Sequence, residues 1–220
     1  KNNIINNISE ETNNHVDEIK DISTIIIDLF SAVRYGQHSL ARTILENHDE
    51  MLKKDEKYND SMLITDSYDR DGYTCSHWAA KKGDIQMLQL LLEFKSTLSE
   101  ATHNESKMLP IHWGASDGRI ETLRFLHEHV PHIKNQTGNT RMIDVQDSNG
   151  YTPVHIATQY MHPACVLYCI KAGCDMDIKD NNGDVAMHWA AYKGHAELVG
   201  LLSHYTPYAV ELYDSYGQVS

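Results

Sequence analysis

Apolar residues fall in short clusters at helical spacing, and the clusters recur along the chain. Leu198, Val199, Leu201 and Leu202 form one apolar helix face, which returns as Ile120, Leu123, Phe125 and Leu126, as Ile85, Leu88, Leu91 and Leu92, and as Leu40, Ile44 and Leu45. The segment Asp180 to Leu202, DNNGDVAMHWAAYKGHAELVGLL, shows the whole unit. An Asp-x-x-Gly turn is followed by a helix that starts apolar-His-Trp-Ala-Ala, a Lys-Gly break and a second helix. The pattern therefore predicts helix, tight turn, helix, copied along the chain.

Aligning the copies on the residue that ends the first helix gives Gly36, Gly83, Gly118, Met161 and Gly194, with the shortest spacings near the ~33-residue ankyrin period. The motif stands as TCSHWAAKKGD at Thr74 to Asp84, LPIHWGASDGR at Leu109 to Arg119, TPVHIATQYMH at Thr152 to His162 and VAMHWAAYKGH at Val185 to His195. These strings resemble ankyrin repeats. The resemblance implies an all-α ankyrin-repeat solenoid of helix-turn-helix units with short turn or hairpin fingers. The repeats are expected at about 25–47, 69–99, 102–130, 144–173 and 177–203, with another starting at 211–220. Residues 1–24 read as a polar, Asn-rich lead-in, in which Ser9-Glu-Glu-Thr could start a short helix. Two insertions interrupt the series, a mostly acidic one at 47–68 and a second at 131–142, read as an exposed finger or disordered loop. In repeat four, Met161 stands where Gly normally takes a left-handed conformation, which makes that repeat the expected weak joint. The Asp-x-x-Gly turn that has begun at the end of the chain implies further sequence beyond Ser220.

Composition narrows the functional classes. With 19 Lys and Arg against 31 Asp and Glu, the formal charge is −12, which repels phosphate backbones and anionic lipid heads, so no nucleic acid is expected as a partner. No apolar run approaches the ~20 residues needed to cross a bilayer, so direct membrane insertion is not expected either. Cys75, Cys165, Cys169 and Cys174 match neither a zinc pattern nor a disulfide framework, and a reducing, cytoplasmic setting fits them best. The chain is read as a monomer.

Fourteen histidines invite a metal or catalytic reading, but His77, His112, His155 and His188 share one repeat position. The ankyrin resemblance implies that this residue is structural, bonding across the turn and to the neighbouring unit. His127, His129 and His132 cluster with no carboxylate or Cys at ligand spacing. The turns DRDG, DSNG and DNNG fail the calcium-loop template, since Ser67, Val145 and Ile178 stand where its first Asp belongs and Trp78, Ile156 and Trp189 where its Glu belongs. No phosphate-binding Gly loop or nucleophile elbow is present, and no catalytic residue, metal or cofactor is expected.

The candidate site is a peptide-binding groove. Trp78, Trp113 and Trp189, the only tryptophans, follow the repeat His, and Ile156 holds the same place in repeat four. Stacking would set these side chains in a ladder along the concave side, where the next helical turn adds Lys81, Lys82, Ser116, Asp117, Tyr160, Tyr192 and Lys193. The competing reading is that the indoles only pack between adjacent helices; Gly114 favours a pocket, because it would leave a gap beside Trp113.

A closer likeness lies in PIHWGASDGRIETLRFL, DSNGYTPVHIATQYMH and DNNGDVAMHWAAYKGHAELVGLL. In that order they resemble the amino-terminal ankyrin domain of the DHHC protein S-acyltransferases, the palmitoyltransferases. That resemblance implies a cytosolic, non-catalytic module on an endomembrane such as the Golgi, recruiting substrate proteins through short linear segments. It supports Trp78, Lys82, Trp113 and Asp117 as groove residues, while the Asp-His-His-Cys motif itself is absent. The alternative is a free-standing ankyrin scaffold or adaptor in signalling.

Overall fold

A computed structural model describes residues 23–54, 64–135 and 138–206. The expected lead-in up to residue 22, the middle of the first insertion and the repeat start at 211–220 lie outside the described residues. The rest is an all-α array of helix pairs: α1 (23–35) with α2 (His38–Lys54), α3 (Cys75–Lys82) with α4 (Ile85–Glu93), and α5 (Pro110–Ser116) with α6 (Ile120–His129). They are followed by α7 (Pro153–Gln159) with α8 (Pro163–Lys171) and α9 (Ala186–Tyr192) with α10 (Ala196–Tyr205). First helices stack in one layer, α3 on α5 on α7 on α9, and second helices in another, α2 on α4 on α6 on α8 on α10. The core is the seam between the layers, where Leu88, Leu91, Ile111, Leu123, Leu126 and Ile156 are fully buried.

Each first helix from α3 onward starts by the same device. The backbone N–H of Thr74, Leu109, Thr152 and Val185 donates to Nδ1 of His77, His112, His155 and His188 at 3.2, 2.9, 3.3 and 3.1 Å, so the third residue of each helix satisfies its own entry. A ring that accepts at Nδ1 carries its proton on Nε2, which for three of them reaches a carbonyl of the next repeat: Met108 at 3.0 Å, Val145 at 3.0 Å and Asp184 at 3.2 Å. His77, His112 and His155 thus bond across the turn and to the neighbouring unit as the resemblance implied, and His188 bonds across the turn alone among the described residues. Nε2 of His188 is buried and meets no acceptor among the described residues.

The fingers are tight turns. Gly72 N–H donates to Asp69 O, Gly150 N–H to Asp147 O and Gly183 N–H to Asp180 O, at 3.0, 3.1 and 3.0 Å, and these glycines take φ of +79°, +82° and +87°. In each finger the Asp Oδ1 accepts backbone N–H groups two and four residues on, which is why these carboxylates fold a turn and do not form a calcium loop. Neighbouring fingers are laced by His103 N–H to Gly72 O and Asn181 N–H to Asn149 O, at 2.9 and 3.0 Å.

The insertions hold more structure than their composition suggested. α2 runs on to Lys54 because Leu45, His48 and Leu52 extend its inward face, with Asp49 and Lys53 paired at 2.5 Å outside; the chain returns through a short 3-10 turn in which Ile64 and Thr65 are buried. The second insertion forms an antiparallel hairpin, β1 (His132–Asn135) with β2 (Gly138–Arg141), and so is a finger. It is rooted by fully buried Met142 and Ile143 and by Asp144, which pairs with Arg141 and accepts the Asp175 N–H at 2.7 Å.

Candidate functional site

The last turns of the first helices present the candidate residues on one face. Trp78 is half-buried and held at both ends, its indole N–H donating to Asp69 Oδ2 at 2.9 Å and its ring lying 5.6 Å from Trp113, edge to face. Tyr73 packs against both indoles, with ring centroids 6.0 Å from Trp78 and 4.7 Å from Trp113. In repeat five the arrangement recurs: the Trp189 indole N–H donates to Asp180 Oδ2 at 2.9 Å, with Tyr151 at 5.5 Å and the exposed Tyr192 at 5.9 Å. Between the two groups Ile156 is 1% exposed. The continuous ladder expected from the spacing is thus two aromatic clusters, because a branched aliphatic in repeat four sinks into the seam.

Each indole also carries a cation. The Arg34 guanidinium sits 4.3 Å from the Trp78 ring centroid, Lys81 Nζ 5.2 Å from that of Trp113, and Lys193 Nζ 5.9 Å from Trp189 and 6.0 Å from Tyr192. Arg34 is fixed in addition by Asp69 at 2.6 Å, and Lys82 Nζ donates to the Arg34 carbonyl, which ties repeat one to repeat two. Burial opposes the charge of Asp69, but the Tyr73 N–H, the Trp78 indole and Arg34 outweigh it and hold this carboxyl below its ordinary value.

The other candidates divide by their commitments. The Ser116 hydroxyl lies 2.9 Å from Trp113 O and 3.0 Å from Asp117 Oδ2, and Ser116 O accepts His162 Nε2 at 2.9 Å, so this pair closes the end of α5 and joins repeats three and four. Tyr160 and Tyr192 are exposed, at 58% and 81%, as are Lys81, Lys82 and Lys193. The gap expected at Gly114 is absent. A Cβ there would lie 2.7 Å from Thr122 Cγ2 and 3.2 Å from Leu123 Cδ1, so the glycine lets α6 approach α5 and opens no pocket beside Trp113.

Reading the sequence did not single out Arg34, Tyr73 or Tyr151. Arg34 stands two residues before Gly36, the place Lys81 takes before Gly83, so the alignment held the signal; Tyr73 and Tyr151 each follow the finger glycine.

The cysteines and most of the clustered histidines are committed to the interior or to packing. Cys75, Cys165, Cys169 and Cys174 are all buried and free, and burial pushes the Cys165 thiol up to about 11 and that of Cys174 up to about 12. His127 Nδ1 lies 3.1 Å from the Tyr168 hydroxyl and His129 Nδ1 2.9 Å from Phe125 O, so these two of the three clustered histidines are spent on packing. Among the described residues no group of His, Cys, Asp and Glu could hold a metal ion, and no helix is long and apolar enough to cross a membrane.

The family model for ankyrin repeats (3 copies) matches residues 29–137 and 129–211. Among curated proteins the chain is 39% identical over 62 residues to the potassium channel AKT2/3 of Arabidopsis thaliana, covering 28% of this chain and 8% of the channel. It is 29% identical over 140 residues to the transient receptor potential cation channel subfamily A member 1 of Homo sapiens, covering 64% of this chain and 12% of that protein. Human inversin matches at 28% over 123 residues, 56% of this chain and 11% of inversin. The aligned part is thus roughly a tenth of each of these relatives.

Proposed function

The chain belongs to the ankyrin-repeat family, whose arrays are non-catalytic protein interaction modules, and from that premise we propose that its inner-helix face docks an extended segment of another protein. The observation that carries the reading is the set of exposed Lys81, Lys82, Tyr160, Tyr192 and Lys193 at the ends of α3, α7 and α9, beside indoles already pinned by Asp69 and Asp180. Pinned rings need no ordering when a ligand arrives, which lowers the entropic cost of docking. The ligand still orders itself, so weak affinity and fast exchange follow, which suits recruitment and release. The array acts as a monomer in the cytoplasm.

Peptides selected by display against the full chain test this. Tyr192→Ala and Lys81→Ala are expected to weaken the selected binder about tenfold with an unchanged thermal midpoint, while Gln89→Ala on outer helix α4 leaves binding intact. Loss of binding through Gln89 alone would place the site on the other layer.

The narrower reading, in which a membrane S-acyltransferase carries this array to capture its substrates, is supported by the strings from Leu109 onward. None of the three relatives above is such an enzyme. Sequencing the gene past the codon for Ser220 decides it: ~20-residue apolar stretches around an Asp-His-His-Cys segment would establish the acyltransferase, and a polar continuation or a stop would leave a scaffold or adaptor.

A further inference from the structure

The cations that cover the indoles change what a ligand meets on this face. Over α3, α5, α7, α9 and the residue that closes each of them, the charged side chains are Lys81, Lys82, Asp117 and Lys193. Asp117 already has the Ser116 hydroxyl 3.0 Å away, and none of the three lysines has a carboxylate within ion-pair distance among the described residues. The acidic excess lies elsewhere: the finger from Asp66 to Gly72 holds three Asp against one Arg, and the stretch from Asp175 to Asp184 holds four Asp against one Lys. In a chain of formal charge −12, the inner-helix row thus carries three lysines against one carboxylate, beside fingers whose Asp69 and Asp180 reach the indoles.

Lys81 and Lys193 each lie over an indole, and neither has a carboxylate within ion-pair distance among the described residues, whereas Arg34 over Trp78 is already paired with Asp69. Two of the rings therefore act as seats for ammonium groups that have no carboxylate partner among the described residues, and exposed Lys82 stands beside the first of them in sequence. We infer that the occupant of this face is an acidic, extended protein segment whose carboxylates meet Lys81, Lys82 and Lys193. This rests on the reading that the inner-helix face docks a protein segment, and it specifies the chemistry of that segment. Stacked helices lie about 8–10 Å apart, and an extended chain advances about 3.3 Å per residue. Carboxylates at every third position then advance about one repeat at a time, so that the first of four meets Lys81 and Lys82 in repeat two and the last meets Lys193 in repeat five. The acidic fingers on the flank disfavour a basic segment at the same place and so set the specificity.

The test uses the full chain and three fluorescein-labelled peptides, (Glu-Ala-Pro)4, (Gln-Ala-Pro)4 and (Lys-Ala-Pro)4, followed by anisotropy at 50 and 300 mM NaCl. The Glu peptide is expected to bind at least tenfold more tightly than the Gln peptide and to weaken several-fold at the higher salt, with no measurable binding of the Lys peptide. The triple variant Lys81→Gln, Lys82→Gln, Lys193→Gln should abolish the preference for Glu over Gln while circular dichroism shows the same helix content and melting. If Gln or Lys peptides bind as well as Glu and Tyr192→Ala weakens them, the face docks segments but the acidic assignment is wrong. If none of the three peptides binds, the acidic assignment is overturned; the docking reading fails with it only where display-selected peptides are also insensitive to Tyr192→Ala. Binding of the Glu peptide that ignores the triple substitution places the anion on another surface and overturns the proposal.

Discussion

Met161 holds φ at +60° where Gly36, Gly83, Gly118 and Gly194 hold +66° to +73°, so repeat four makes the common left-handed turn with a side chain that resists it. Its side chain is 57% exposed and gains little from packing. Met161→Gly is expected to raise stability by about 1 kcal/mol in urea denaturation, since a left-handed non-Gly residue costs about 1–2 kcal/mol and glycine returns part of that as chain entropy; a loss of stability would show that the Met side chain contributes packing. Gly114 is the opposite case. Gly114→Ala should destabilise by about 1–3 kcal/mol despite the better helix former, because the new methyl overpacks against Thr122 Cγ2. Adding Thr122→Ser, which removes that methyl and keeps a hydroxyl for the Ala80 carbonyl, should restore most of the loss. The two positions also show what sequence reveals at this scale. A repeat alignment exposes Met161 because its φ is dictated by its place in the unit, whereas the neighbour that fills the space beside Gly114 comes from another helix and leaves no local trace.

At the scale of the element, the repeat histidine starts its own helix and fastens it to the next. Burial pushes the His77 and His155 imidazoles down to about 4, and lowers that of His112 as well, so all three stay neutral when folded at neutral pH. An unfolded imidazole protonates near pH 6.5, so below that the unfolded chain binds protons that the folded chain refuses. Stability is then full above about pH 6.5 and falls as the pH drops towards 4, by an amount on the order of 3 kcal/mol each for His77 and His155. Urea midpoints measured from pH 7.5 to 4.5 should decline across that window, and the decline should shrink in His155→Gln; a flat profile would mean that the rings titrate freely. The helix pairs themselves were legible, because a His-capped start, a Gly stop and an apolar second helix each have a fixed place in the unit. The far end of α2 was not: an acidic stretch reads as a solvated loop, and Leu45, His48 and Leu52 show an inward face only once His48 is counted as a core residue.

At the scale of the molecule, repeats two to five join through the seam, the histidine bridges and the fingers, repeat one joins repeat two through Arg34 and Lys82, and the two layers face different surroundings. The outer layer is closed by apolar packing and exposed ion pairs such as Arg42 with Glu93 at 2.7 Å, while the inner layer ends in lysines, tyrosines and cation-covered indoles. The candidate residues were legible because they recur at a repeat position. Their state was not, since the cation over each ring comes from the preceding repeat for Trp78 and Trp113 and from within the same repeat for Trp189. The most direct test is lysine acylation footprinting of the full chain, read by mass spectrometry, with and without a saturating display-selected peptide. Docking on the inner-helix face predicts protection of Lys81, Lys82 and Lys193 with Lys53 and Lys171 unchanged; protection of Lys53 or Lys171 with the three inner lysines still reactive would contradict it.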